Sequence, residues 1–363
     1  MTEQGQLQQL ICDLVAIDSV NPDLVAGGAG EVAIARFVAA WLQNIGCDVS
    51  MIEPVSGRPS VVAIAHGSVG GRSLMLNAHM DTVGAGGMGA PFSPVVRDGR
   101  VYGRGAYDMK ASLAAIMLAA REALRLRLKG DLIIAAVADE EVASLGTSAV
   151  LERFRADAAI VTEPTERRLC LAHKGFVWLE VESTGVAAHG SRPDVGVDAI
   201  AAMGRILTGV AAMDARLRAG PRHPLMGAGS IHCSTIEGGT EMSTYPARCV
   251  AMLERRTVPG ENGDSCVAEL AELAPAKIVL ERAPSEVAAT HPVAQAVSAA
   301  AGGPEVIGAA YWMDMALLNE AGIPTVAYGP SGDGAHADVE WVDLRSVGEC
   351  VEVYVRAAEL LCS

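Results

Sequence analysis

The segment DLIIAAVADEE, residues 131–141, sets three acidic residues directly after an uninterrupted apolar run. Such a run is typical of a strand buried on both faces, as in the parallel sheets of α/β proteins. Asp139, Glu140 and Glu141 would then follow the carboxyl end of that strand, where α/β folds carry their chemistry. A solvated loop is the simpler interpretation. Burying these carboxylates without partners would cost several kcal/mol per ion, so they must face solvent, a cation or each other.

Strands and helices alternate on both sides of this segment, which predicts an α/β fold. An Ala- and Leu-rich helix is expected over residues 110–128, with Gly130 ending it. Further strands of the same sheet are predicted at residues 60–65, 73–78, 158–161 and 324–328.

The middle of the chain has a different order, β-α-β-β-α-β, which is that of a ferredoxin-like unit. We therefore predict an inserted domain at residues 171–284, within a discontinuous mixed-sheet α/β/α core domain formed by residues 1–170 and 285–363. The insert's predicted strands are 176–183, 230–236, 248–257 and 277–282, and its helices are 198–219 and 266–273.

Composition limits the possible partners. The chain has 363 residues, and its 28 Lys and Arg against 43 Asp and Glu give a net charge of −15. That charge disfavours binding to nucleic acid or to an anionic membrane. The start of the chain lacks a secretory pattern, and the apolar runs are too short to span a bilayer. The eight cysteines form no C-x-x-C pair. We therefore expect reduced thiols and a cytoplasmic protein.

Histidine and carboxylate residues recur at other predicted strand ends. His79 and Asp81, in HMDTV, point to the same side of an extended chain. The aspartate can accept one ring N–H while the other nitrogen binds a metal. A strand-end histidine beside a solvated aspartate is the alternative.

Three more segments add candidate ligands. Asp108, in GRGAYDMK, precedes the predicted helix, where it is either an N-cap or a metal ligand that can bridge two cations. Glu163 follows an apolar strand, and His336 lies in the glycine-rich loop GPSGDGAH. Nitrogen and oxygen donors without cysteine suit two zinc-like ions bridged by a carboxylate. Of two adjacent glutamates, one can ligate metal while the other accepts a proton from water.

HMDTV, GRGAYDMK, DEE, TEPT and GPSGDGAH, in this order after LVAIDSVNP, resemble the zinc-dependent amidohydrolases that include acetylornithine deacetylase, succinyl-diaminopimelate desuccinylase, aminoacylase and glutamate carboxypeptidase. The resemblance implies that Asp108 bridges two metals and that Asp81 orients His79. His79 and Glu163 would complete one site, Glu141 and His336 would complete the other, and Glu140 would be the general base.

The inserted domain resembles this family's lid, which carries the dimer contact. GVAAHGSRPDVGVDAI contains His189, which the resemblance assigns to the carbonyl oxygen of the substrate, often in the partner subunit's site. MLERRTVPGE contains Arg256, which would hold a substrate carboxylate. Arg255 beside it is expected to be a solvated strand-edge residue. Ser243 replaces the asparagine usual in this family and is expected to contact substrate.

The resemblance implies a deacylase that cleaves an N-acyl amino acid or short peptide bearing a free carboxylate, and that acts as a homodimer through the lid. Two divalent metals are expected, zinc by default, with cobalt or manganese possible. A dipeptidase or carboxypeptidase of the same family is the nearest alternative. A non-catalytic protein that binds a ligand through metal is the alternative of another class. No phosphate-binding glycine motif supports a nucleotide-dependent enzyme.

Overall fold

The structure is a computed structural model that describes residues 2–68 and 70–363. The chain divides into two compact units. The first comprises the residues up to Leu171, Val287–Ile307 and the residues from Met313 onward. The second comprises Ala172–Glu286 and Gly308–Trp312.

The helices are α1 (Glu3–Val15), α2 (Val32–Ile45), α3 (Ala111–Leu126), α4 (Leu145–Arg153), α5 (Ala199–Ala219), α6 (Gly263–Leu270), α7 (Pro292–Ala300), α8 (Met315–Glu320) and α9 (Leu344–Leu361). The strands are β1 (Asp48–Ile52), β2 (Ser60–Ala65), β3 (Leu74–His79), β4 (Val95–Arg97), β5 (Arg100–Tyr102), β6 (Leu132–Val137), β7 (Ala158–Val161), β8 (Leu169–His173), β9 (Gly175–Thr184), β10 (Ser230–Gly238), β11 (Arg248–Thr257), β12 (Ala276–Arg282), β13 (Ser285–Glu286), β14 (Val306–Ala309), β15 (Thr325–Ala327), β16 (Gly332–Asp333) and β17 (Trp341–Asp343).

A mixed sheet with the order β1-β2-β6-β3-β7-β15-β8 organises the first unit. Strands β6, β3, β7 and β15 run parallel to one another. The pairs β1–β2, β2–β6 and β15–β8 are antiparallel. Every residue of β6 and β3 is buried, as the apolar run predicts. The predicted α/β fold with a mixed sheet is confirmed.

Helix α3 packs against β2, β3 and β6, and alanines line much of its buried surface. The prediction that Gly130 ends this helix is wrong. The helix stops at Leu126, and Arg127 caps it in the left-handed conformation with a φ of 53°. Gly130 is needed for a different reason. A Cβ there would lie 1.9 Å from the carbonyl oxygen of Arg72, so the two backbones could not approach as they do.

The second unit contains an antiparallel sheet with the order β10-β11-β9-β12. Along the chain its elements run β9, α5, β10, β11, α6, β12, which is the predicted order. Alternate residues of β9 and β11 pack against α5 and form one core. Helix α6 begins three residues before the predicted start because Asn262 and Ser265 form a capping box.

A small third sheet, β16-β17-β5-β4, belongs to the first unit. Within residues 2–68 and 70–363, the helices lack the combined length and apolarity that crossing a bilayer requires.

Candidate active site

The parallel strands β6, β3 and β7 are neighbours, so their carboxyl ends meet at one edge of the sheet. His79 is the last residue of β3 and pairs with Val137, the last residue of β6. The chain leaving β6 carries Glu140 and Glu141, and the chain leaving β7 carries Glu163. The order of the strands therefore brings three of the predicted site segments together at one edge of the sheet.

The imidazoles of His79 and His336 approach opposite oxygens of the Asp108 carboxylate. His79 Nε2 lies 3.0 Å from Oδ1 and 3.6 Å from Glu163 Oε1. His336 Nε2 lies 3.3 Å from Oδ2 and 3.2 Å from Glu141 Oε2. Two groups of three donors that share one aspartate result, and each group is compact enough to hold one metal ion.

Asp108 lies in the segment Ala106–Lys110 that precedes α3, and its own backbone there is not helical, with φ −117° and ψ 92°. Lys110 occupies the N-cap position of α3 and makes no side-chain capping bond. The alternative of an Asp108 N-cap is therefore wrong, and its carboxylate remains available to both histidines.

Burial disfavours ionisation of Asp108, but the hydrogen bonds from His336 and His79 outweigh it and hold its pKa well below the ordinary range. Burial and the nearby Asp108 charge raise the pKa of Glu163 to about 8. Burial and the Glu163 charge likewise raise the pKa of Glu140 well above its ordinary value. These carboxylates repel one another in a buried space, which is the electrostatic environment that a cation stabilises.

The metal ligands predicted from the sequence fit divalent cations. The donors are imidazole nitrogens and carboxylate oxygens, a set suited to zinc, cobalt or manganese. Glu141 Oε1 is buried and has no hydrogen-bond partner within residues 2–68 and 70–363. A buried polar atom of this kind requires a partner, and a cation beside His336 and Asp108 would supply one.

Asp81 supports this site through both its main-chain oxygen and its carboxylate. His79 Nδ1 is 2.9 Å from the Asp81 main-chain oxygen and 3.6 Å from the carboxylate oxygen Oδ1. The prediction assigned the contact to the carboxylate, and the nearer acceptor is the carbonyl. The carboxylate instead accepts the main-chain N–H groups of Glu140 and Glu141, at 3.2 and 3.3 Å.

Sequence reasoning missed the residues behind Asp81. Asn21 Nδ2 donates to both Asp81 and Asp139, and Arg58 pairs with Asp139 at 2.8 Å and with Glu31 at 2.7 Å. All five are buried. Asn21 belongs to LVAIDSVNP, so the sequence marked the segment but not its contacts.

His189, Ser243 and Arg256 belong to the second unit. His189 is exposed and forms a β-bridge with Thr244, and the main-chain oxygen of Ser243 accepts the N–H of Gly190 at 2.7 Å. Two loops distant in sequence, those of His189 and Ser243, are therefore adjacent.

Arg256 lies on β11, where its Nε donates to Glu254 at 2.7 Å and its guanidinium lies over the Phe176 ring. Its two Nη atoms make no hydrogen bond within the described part of the chain. The expectation that Arg255 is solvated is wrong. Its side chain is buried and paired with Glu261 at 2.8 Å and Glu269 at 3.3 Å.

The profile of peptidase family M20/M25/M40 matches residues 75–360. The chain is 32% identical over 247 residues to the Schizosaccharomyces pombe peptidase M20 domain-containing protein C757.05c, covering 66% of this chain and 59% of that protein. It is 30% identical over 262 residues to acetylornithine deacetylase of Proteus mirabilis, covering 69% and 67% of the two chains. For acetylornithine deacetylase of Myxococcus xanthus the identity is 29% over 388 residues, covering 98% and 97%.

Solved structures share the fold. Aminopeptidase PepT from Bacillus cereus superposes with a TM-score of 0.80 at 18% identity, over 99% of both chains. The YXEP protein of Bacillus subtilis, described as a dinuclear metal binding peptidase from the M20 family, gives 0.73 at 18%, over 99% of this chain and 98% of its own.

This chain belongs to peptidase family M20/M25/M40. It is a metal-dependent amidohydrolase, in agreement with the resemblance found in its motifs.

Proposed function

We propose that the protein hydrolyses the amide bond of an N-acyl amino acid that bears a free carboxylate, as a deacylase related to acetylornithine deacetylase. The observation that carries this proposal is the pair of donor groups sharing Asp108 with Glu140 next to them in sequence. The two cations, zinc by default, would polarise the acyl oxygen and acidify the attacking water.

Glu140 has the properties of a proton carrier. Neither donor group uses its carboxylate, and Asp81 holds its main-chain N–H at 3.2 Å. Its carboxylate oxygen would take a proton from the attacking water and return it to the leaving nitrogen as the carbon–nitrogen bond breaks. The products are a carboxylic acid and a free amine.

The second unit supplies the remaining roles in this proposal. Arg256 would hold the substrate carboxylate through its two Nη atoms, since its Nε is already paired with Glu254. His189 would donate a ring N–H to the developing oxyanion. Ser243, in the loop beside His189, would contact the substrate with its hydroxyl group. As a lid, this unit would also carry a homodimer contact.

None of the eight cysteines, all of which lie in the described part of the chain, forms a disulfide, which supports a reducing, cytoplasmic location in this proposal.

A substrate screen tests the assignment. The chelated protein is reloaded with zinc, cobalt or manganese and assayed on N-acetyl-ornithine, N-succinyl-diaminopimelate, other N-acyl amino acids and dipeptides. We expect metal-dependent release of the acyl acid. Turnover confined to dipeptides would assign a peptidase instead, and metal binding without any hydrolysis would leave only the binding role.

A further inference from the structure

A second buried carboxylate, Glu340, holds the backbone that carries Asp108. Its Oε2 accepts Arg104 Nη1 at 2.7 Å and the main-chain N–H of Gly105 at 2.9 Å. Its Oε1 accepts the N–H groups of Tyr107 and Asp108 at 2.9 and 3.0 Å. One carboxylate thus receives four hydrogen bonds from the segment that ends at the shared metal ligand.

The same pair also holds the loop of His336. Glu340 is four residues beyond His336. Arg104 Nη2 donates to the carbonyl of Ala337 at 2.8 Å, and its Nε donates to the carbonyl of Gly84 at 3.0 Å. Arg104 and Glu340 therefore link the segment that carries Asp108 to the loop that carries His336. At the ends of these two segments, Asp108 Oδ2 lies 3.3 Å from His336 Nε2.

The Arg104–Glu340 ion pair forms a clamp, and its burial favours a rigid arrangement. Arg104 and Glu340 are 1% and 2% exposed, so neither charge has access to water that could replace its partner. Removing one member of a buried ion pair leaves the other uncompensated. Converging main-chain N–H groups form a concavity that suits an anion, and here the anion comes from the chain itself.

We propose that Glu340, together with Arg104, is a positioning residue for the cation held by Asp108, Glu141 and His336. This inference rests on the proposed function, because it requires two cations. Loosening the clamp shifts Asp108 and His336 relative to each other. The group that contains both then loses more affinity than the group formed by His79, Asp108 and Glu163.

Metal titration of the full-length chain tests the proposal without an activity assay. The chelated protein is titrated with Zn²⁺ by calorimetry and with Co²⁺ by absorption. The variants are Glu340→Gln, and Glu340→Gln with Arg104→Met, which leaves no unpaired buried charge. Leu42→Ala, a buried α2 residue outside both donor groups, controls for loss of stability.

We expect two cations per wild-type chain. In both clamp variants one cation should bind about 10- to 100-fold more weakly, the usual effect of removing a residue that orients a ligand, while Leu42→Ala keeps both affinities. Unchanged affinities in the clamp variants overturn the inference alone. Fewer than two cations in the wild type overturn the proposed function together with it.

Discussion

The Nδ2 atom of Asn21 lies 2.8 Å from Oδ2 of Asp81, linking two buried residues that are 60 positions apart. The Asp81 carboxylate also accepts the main-chain N–H groups of Glu140 and Glu141. By holding Asp81, Asn21 therefore helps to position the backbone of Glu140, the proposed base. The same amide nitrogen is 2.9 Å from Asp139, which places it between two carboxylates.

Replacing Asn21 should therefore reduce turnover without removing metal. In Asn21→Leu the two carboxylates lose their shared donor, and we expect kcat to fall about 10- to 100-fold. Kinetics and metal content measured on the same sample check this. The exposed Asn44→Leu is the matched control. A variant with wild-type kcat would contradict the role of Asn21.

Glu140→Gln should abolish most activity and keep both cations. Loss of a general acid–base residue lowers rates about 10²- to 10⁴-fold, and neither donor group contains Glu140. Single-substrate kinetics and elemental analysis measure the two effects, with exposed Glu152→Gln as the control. Full turnover with full metal content would show that another group carries the proton.

Asp108→Asn should remove the stabilisation that cations give the fold. A ligand that binds only the native state at 100 times its Kd adds about 2.7 kcal/mol to the free energy of unfolding. Asp108 belongs to both donor groups, so the variant should show a much smaller rise in Tm on adding Zn²⁺. Exposed Asp98→Asn should respond like the wild type. An equal rise in Asp108→Asn would rule out the shared ligand.

Arg256→Ala should raise KM for substrates that bear a carboxylate by about tenfold or more, since a hydrogen bond to a charged group contributes about 1.5–3 kcal/mol. Arg248→Ala, on the same strand and exposed, is the control. For a substrate whose carboxylate is amidated, the wild type and Arg256→Ala should have the same KM. Equal KM values for the wild type and Arg256→Ala on the free acid would refute the anchor.

His173 should make the fold acid-sensitive. Burial lowers its pKa to about 4, and its Nε2 has no partner within the described residues. Between pH 6.5 and about 4 the unfolded chain binds a proton at this residue, whereas the folded chain does not. The free energy of unfolding therefore decreases as the pH is lowered through this range. The pKa shift of His173 limits this loss of stability to about 3 kcal/mol.

Urea unfolding of the wild type and His173→Phe at pH 7 and pH 5 measures this term. Phenylalanine keeps the edge-to-face contact with Trp312 but cannot be protonated. The variant should lose less stability on acidification than the wild type. Identical losses would show that His173 does not set the acid sensitivity.

Local pattern was enough to predict much of the sheet. Three strands begin and end where the hydrophobic pattern predicts: Ser60–Ala65, Ala158–Val161 and Arg248–Thr257. A strand that buries alternate or successive residues shows this as a hydrophobic pattern among neighbouring positions in the chain. The same alternation also indicates which of two adjacent arginines is buried. On β11, Arg255 shares the inward side with Ala251 and Leu253, which favours burial, whereas Arg256 points the other way.

Motifs and hydrophobic pattern were enough to predict the fold class, the order of elements in the insert and the set of side chains from which a metal site can be built. The three-dimensional fold was needed to show which atoms meet: the Asp81 carbonyl at His79, Asn21 between two aspartates, and the Glu340 carboxylate at the Asp108 N–H. The first of these contacts is local, whereas the others join residues 60 to 232 positions apart. Hydrogen-bond partners at the larger separations leave no periodic trace, because they depend on how strands and loops converge in space and not on which residues are neighbours in the chain.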